Sequence, residues 1–527
     1  MPLTVQAKAL NWALHHALEK GDTDIFPAAF EYQAVKADWA QITAGIQATD
    51  MLEWKVRAAR RCLAPKHKFG FRVSTQLDPL DFIIFTALVY EVGGKLEAQR
   101  LPATDGIVHS YRFAPASDGH MFSEDWTYRS FQKASLKATA HGVKYVAVAD
   151  IADFFPRIST HRIDNALDAA LGIGHQHATL LKRLVNQWAG TYSFGVPVGS
   201  AASRLIAELT ISDVDQALLA EGLKYVRYSD DFRFFCKTES EAYRSLAILA
   251  RTLWEQHGLT LQQHKTHVMP VRRFREKFLR ENEKREVDTL SERFYELMER
   301  LGIDDPYADI DFESLSEEAQ NELRELNLQA LLKEQLTIRE PDLALLKFLL
   351  RRLAQLGAAD AADLVLERFK QCVPVVREAV QYLMQVSAAE AGMKASFGKK
   401  LIAIYRDSRH VATHLEYSRM FLLHPFAVDK SWNSSAEFVK LMNSAVDEFS
   451  SRKLMLALGR SGKDFWFRTR KQALSSFGPW LRRAFIYGAS CLPSDEYKHW
   501  VRGLQSQLDP LEGAVARWAQ KNPLSLK

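Results

Sequence analysis

Hydrophobic and polar positions alternate from Lys224 to Phe235 (KYVRYSDDFRFF), where Val226, Tyr228, Phe232 and Phe234 interleave with Arg227, Ser229, Arg233 and the doublet Asp230–Asp231. This period of two predicts a β-hairpin with one buried face and the acidic pair at its tip. The run Tyr145–Ala149 is apolar throughout and predicts a core strand covered on both faces, ending at Asp150. Phe154 and Phe155 follow in a turn closed by Pro156, and a helix is predicted over His161–Leu171. Tyr192–Glu208 (YSFGVPVGSAASRLIAE) reads as an irregular Gly/Pro loop leading into a helix from Ser200. Glu241–His257 predicts a helix stopped by Gly258, and LTLQQHKTHVM beyond it is strand-like and carries Lys265. Upstream, FIIFTALVY (Phe82–Tyr90) predicts a core helix after Asp78-Pro79, and HSYRF (His109–Phe113) a strand centred on Arg112.

At the two ends of the chain the pattern is helical. Residues 1–65 predict helices broken by GDTDIFPAAFEY, and residues 340–527 a long series of amphipathic helices. Between them, residues 281–339 form a charged connector, with Ser314 and Glu317 spaced as a capping box. At 527 residues the chain exceeds a single core. It has no apolar run of about 18 residues, so no membrane span is predicted and a cytoplasmic location is expected. The 4 cysteines are widely spaced, which implies neither a zinc site nor a disulfide framework. A net charge of +5 permits a polyanionic partner without requiring one.

Basic residues gather in two places. Arg57, Arg60, Arg61, Lys66, Lys68, Arg72 and Arg112 form either a solvated face or a surface that holds phosphates. Arg272, Arg273, Arg275, Lys277 and Arg280 are interleaved with Phe274 and Phe278, a mixture suited to a nucleic-acid backbone. The acidic doublet is the chemically loaded feature. Asp-Asp is common in exposed turns, and a strand-end Asp such as Asp150 also serves as a helix cap. Two adjacent buried carboxylates, however, repel each other unless a cation such as Mg²⁺ offsets the charge.

The order of these signals is more specific than any one of them: a strand ending in Asp150-Ile151 with Phe154-Phe155, GVPVG with Ser203-Arg204, Tyr228-Ser229-Asp230-Asp231 on a hairpin, then Gly258-Leu-Thr-Leu and Lys265-Thr266. The series resembles the palm of a reverse transcriptase. The runs FRVSTQLDPLD, HSYRF, ADIADFFPRI, GVPVGSAASRLIAEL and RYSDDFRFF are similar to those of the bacterial antiviral reverse transcriptases, the abortive-infection and defence-associated groups. The fold class implied is an α+β fingers-palm over 66–280 followed by an all-α, HEAT-like helical-repeat domain.

The resemblance also implies roles for residues. Asp150, Asp230 and Asp231, with the carbonyl of Ile151, would hold two Mg²⁺ ions, for which Mn²⁺ substitutes. The backbone of Asp153 and Phe154 would meet the triphosphate, and Phe155 would stand as a steric gate favouring dNTP over rNTP. Gly199 and Ser200 would line the base and template side. Lys68, Arg72 and Arg112 would contact phosphates, and Lys265 would protonate pyrophosphate. Val198 stands where retroviral enzymes carry Gln, so their detailed nucleotide contacts do not transfer. Implied too are phage defence, a single-stranded DNA product made without a template and primed from a tyrosine (Tyr32, Tyr111 or Tyr307), and a trimeric or hexameric homo-oligomer. The alternatives are a polymerase that copies a noncoding RNA, a catalytically silent nucleic-acid-binding scaffold, or an RNA polymerase, which the large ring of Phe155 argues against.

Overall fold

In the computed structural model, which describes residues 2–140, 142–279, 316–317 and 327–524, the chain divides into two compact units. The first comprises Met1–Tyr32, Thr43–Arg61 and Ser74–Glu286, the second Gln33–Ile42, Cys62–Val73 and Val287–Lys527. Arg280, Tyr307, Ser314 and most of the connector lie outside the described residues.

The helical opening is shorter than the periodicity predicts. Helices cover Ala7–Glu19, Glu31–Ala37 and Trp39–Ala48, and a single turn follows at Met51–Glu53. Strand β1 (Arg60–His67) then pairs with β2 (Gly70–Gln76). The Arg60 side chain reaches Gln76 at the base of this hairpin, so a residue within the stretch predicted helical belongs to a strand.

Within the first unit, Asp78 caps the helix Pro79–Ala98 by accepting from the Leu80 backbone N–H, with proline at the helix start where its missing donor costs nothing. This helix is apolar around most of its circumference because neighbours surround it: helices Ala7–Glu19, Thr160–Leu171, Gln176–Ala189 and Ala201–Thr210 all touch it.

The same unit contains a four-stranded antiparallel sheet in the order β4 (Tyr225–Tyr228), β5 (Asp231–Cys236), β3 (Tyr145–Asp150), β6 (His267–Pro270). Opposed residues share a face, so the register sorts the strands. Val146 faces Phe235, Val148 faces Arg233 and Asp150 faces Asp231; these line one side, packed on Phe131 of the helix Tyr128–Ala138. Ala147, Ala149, Phe232 and Phe234 point the other way, as do Tyr225 and Arg227 across from Phe234 and Phe232.

The expectation of one buried and one solvated face on the β4–β5 hairpin is corrected by the structure. Arg227 and Arg233, the polar half of the alternation, are 0% and 2% exposed. Arg233 lies flat on the Phe131 ring, 4.0 Å from its centre, and donates to Gln132 and Ser135. Both faces are covered, and the alternating polar residues meet internal partners instead of water.

In the second unit the described elements from Leu328 onward are all helical. Alternate long helices touch in series: Leu343–Gln355 with Val376–Val386, then Glu416–Val428, Glu448–Arg460, Pro479–Gly488 and Pro510–Lys521.

Candidate active site

Two chain segments bring the carboxylates together. Asp150 ends β3 and is 5% exposed, and its register partner across the sheet is Asp231, the first residue of β5. Asp230 precedes it in the turn, where the Ile151 backbone N–H donates to the Asp230 carbonyl at 3.1 Å. That turn holds Ser229 in a left-handed conformation, φ 54°, which is uncommon for a residue with a side chain. Burial pushes the Asp231 carboxyl above its ordinary range, and the nearby charges of Asp230 and Asp150 push it further.

Lys265 sits on a short turn, Gln263–Lys265, brought alongside β3 by the bond from the Gln262 N–H to the Asp150 carbonyl. Its ammonium donates to Asp150 Oδ2 at 2.5 Å and there serves as a counter-cation. Partial burial opposes its charge. The hydrogen bond and attraction to Asp150, with Asp231 and Asp230 behind, nevertheless raise its pKa above that of an ordinary lysine. The Ile151–Leu261 bridge is flanked by bonds from Ala152 N to Thr260 O and from Gln262 N to Asp150 O, so those bonds leave the Ile151 carbonyl unused. Three carboxylates and a carbonyl are an all-oxygen donor set, the chemistry Mg²⁺ prefers, and their crowded negative charge fits a multivalent cation. A different group, Asp118, His120 and Glu124, has ligand atoms within 4.8 Å of one another. It lies at the surface, where His120 donates to Asp118 at 2.7 Å, and it is separate from the aspartates.

Beyond Ile151 the backbone reverses through Asp153, also left-handed at φ 47°, into the short helix Phe154–Arg157. The expected turn closed by Pro156 is thus a short helix, whose leading N–H groups have no partner within it. Phe155 is half-buried, edge-on to Phe154 at 5.2 Å, and its carbonyl accepts from the Val196 N–H at 3.1 Å. Gly195 N donates to the Ile158 carbonyl at 2.7 Å, so the Gly/Pro loop runs directly along the Phe155 segment.

Other expected site residues have internal roles. Ser200 is the N-cap of the helix Ala201–Thr210, accepting from Ser203 N at 3.1 Å. Gly199, at φ 121°, faces Thr23: a side chain there would come within 2.3 Å of the Thr23 hydroxyl. The N-terminal break GDTDIF therefore covers this loop, and Asp24 pairs with Arg204 at 3.1 Å. Arg112 is 3% exposed, donates to Glu97, Val108 and Leu101, and does not present its charge to solvent. Lys68 and Arg72 are exposed on the β1–β2 hairpin, Lys68 donating to the Arg339 carbonyl.

The periodicity gave no hint of a buried ionic cluster behind the hairpin. Glu208 accepts from Arg100 at 2.8 Å and from Arg227 at 3.0 Å, and Arg227 also grips Asp215 through two nitrogens. Burial alone would raise the Glu208 carboxyl, but Arg227 and Arg100 hold it below its usual range. An arginine centred in a short apolar strand, with acids inside two otherwise apolar helix faces, was the available signal.

Residues 110–291 match the family model described as reverse transcriptase (RNA-dependent DNA polymerase). No curated protein matches the chain. Solved structures similar to it include a partial Cas6-RT-Cas1–Cas2 complex (20% identity, TM-score 0.26, 48% of this chain and 42% of that one). They also include apo telomerase from Candida tropicalis (11% identity, TM-score 0.31, 73% of each chain). The chain thus spans less than half the length of the first of these. The matched segment contains Asp150, Asp230, Asp231 and Lys265, so the acidic cluster and its counter-cation lie within the reverse transcriptase domain that residues 110–291 match.

Proposed function

We propose that this chain joins dNTPs at the Asp150–Asp230–Asp231 cluster and does so in bacterial antiphage defence. The observation that carries the first half is the register: Asp150 and Asp231 are direct partners on adjacent strands, with Asp230 in the turn between β4 and β5. Asp150, Asp230, Asp231 and the Ile151 carbonyl are the groups to hold two Mg²⁺ ions. Bound there, the metals would lower the pKa of a 3′-hydroxyl and stabilise the departing pyrophosphate. The chain's own residues do the rest. The backbone N–H groups of Asp153 and Phe154 donate to phosphate oxygens, Phe155 beside Val196 limits room at the sugar, and Lys265, against Asp150, supplies a proton to the leaving group.

The second half rests on the motif runs that resemble antiviral reverse transcriptases and on the series of stacked helices from Leu343 onward, read as a HEAT-like repeat scaffold. Within that reading the product is DNA primed from a tyrosine and made without a template. Of the two described candidates, Tyr32 is 3% exposed, and Tyr111 is partly exposed with its ring packed against Phe122, Tyr228 and Arg204. A noncoding-RNA template is the second outcome to be separated.

The test is incubation of protein freed of nucleic acid with Mg²⁺ and labelled dNTPs, followed by denaturing gels with and without protease. Label that travels with the protein until protease releases it supports protein priming. Label that requires copurified RNA supports the templated form. No label, with Asp230→Ala/Asp231→Ala indistinguishable from the native chain, overturns the proposal.

A further inference from the structure

The turn that presents Asp230 and Asp231 is strained at Ser229, and both polar groups of that residue's backbone are tied from behind. The Ser229 N–H donates to the Ser110 hydroxyl at 2.9 Å, and the Ser229 carbonyl accepts from Arg227 at 3.0 Å. Ser110 in turn donates to Glu208 Oε1 at 2.6 Å, the same carboxylate whose other oxygen takes Arg100 and Arg227. Ser110, Glu208 and Arg227 are each 0% exposed. The outer edge of β4 is closed by the same segment: Arg227 N donates to the Ile107 carbonyl and His109 N to the Arg227 carbonyl, both at 2.8 Å. By register this assembly lies on the face of the sheet opposite Asp150 and Asp231, and Ser229 is where the two meet.

Two arginines and two acids removed from water gain no stability over an apolar core of the same shape, so their presence calls for another account. A left-handed non-glycine residue is likewise strained and persists where its surroundings fix it. We propose that Ser110, oriented by Glu208, is a positioning residue: it holds Ser229 left-handed so that Asp230 and Asp231 face Asp150 in the geometry that binds a divalent cation. Ser110 touches neither carboxylate and acts only through the Ser229 backbone. This inference rests on the assignment of the aspartates as the metal site.

The experiment measures Mn²⁺ binding to the full chain by electron paramagnetic resonance titration, beside the Mg²⁺ concentration for half-maximal dNTP incorporation, in native protein, Ser110→Ala, Ser110→Thr and Asp231→Asn. In Ser110→Ala the Mn²⁺ Kd is expected to rise about tenfold. The half-saturating Mg²⁺ should rise by a similar factor, with the KM for dNTP unchanged. Ser110→Thr, which keeps the hydroxyl, should restore both. Native affinity in a cooperatively melting Ser110→Ala overturns the inference, as does a Thr variant no better than Ala. If Ser110→Ala does not melt cooperatively, Ser110→Cys carries the test: its weaker acceptor should give an intermediate Kd, and native affinity would again contradict the role. Failure of the metal-site assignment itself reads out separately, as Mn²⁺ binding that Asp231→Asn leaves intact.

Discussion

Two hairpins in this protein are written in similar residues and put them to opposite uses. In β4–β5, Arg227 and Arg233 are sealed from water, one among acids and the other on an aromatic ring. In β1–β2, Phe69 is 79% exposed and Phe71 50%, and Lys68 and Arg72 stand at the surface beside them. Alternation of aromatic and basic residues therefore does not say which set faces water. What decides is the supply of partners. The β4–β5 hairpin is covered by the helix Tyr128–Ala138 on one side and backed by Glu208 and Asp215 on the other. The described part of the chain sets no such cover over Phe69 and Phe71, and the mixture left exposed has the chemistry of a nucleic-acid contact.

One substitution made in both places tests this contrast most sharply. Arg227→Gln leaves Glu208 and Asp215 buried without their cation, so thermal unfolding should show a loss of about 3–5 kcal/mol. Arg72→Gln should stay within about 0.5 kcal/mol of the native chain. Its effect should appear in nucleic-acid affinity measured against salt, with a slope smaller by about one. Equal stability losses at the two sites would erase the distinction.

The contrast also explains what the sequence could reveal. The unbroken apolar run Tyr145–Ala149 located β3 and its terminal Asp150, and the doublet located the turn, because strand period and turn chemistry are local properties. Lys265 was placed only through the order of motifs. The partners of Arg227 were illegible, since Arg100, Glu208 and Ser110 reach the hairpin from distant segments, and a pattern read along the chain carries no information about them. The same holds for Thr23 over Gly199, a contact between an N-terminal break and a loop more than a hundred residues on. Arg112 resembles Lys68 and Arg72 in composition and differs from them because Glu97 and the Val108 and Leu101 carbonyls lie within its reach.

Smaller effects refine the picture. Phe71→Ser should leave the melting temperature nearly unchanged yet weaken single-stranded nucleic-acid binding by about 1–3 kcal/mol in fluorescence anisotropy, if the outer hairpin stacks on bases. Phe155→Val should raise rNTP incorporation roughly tenfold or more relative to dNTP in steady-state kinetics, while the same change at exposed Phe69 should not. At the foot of the outer hairpin, Asp22 accepts from Gln76, and burial pushes its carboxyl up to about 6. A raised folded-state pKa favours the protonated form, so its contribution is fully present below about pH 4 and is lost as pH rises toward 6. Asp22→Asn should flatten that part of the stability–pH curve and leave the protein more stable than native above pH 6, measured by denaturant unfolding across pH.

The account turns on whether the aspartates facing one another across β3 and β5 are the centre of the chemistry. The direct measurement is Mg²⁺-dependent incorporation of labelled dNTP by native chain, Asp150→Asn and Asp231→Asn, each confirmed to melt cooperatively. Incorporation by the native chain that falls by about three orders of magnitude or more in either variant is the predicted result. Incorporation that survives both substitutions, or a native chain that incorporates nothing while folded and supplied with metal, primer and template, would contradict it.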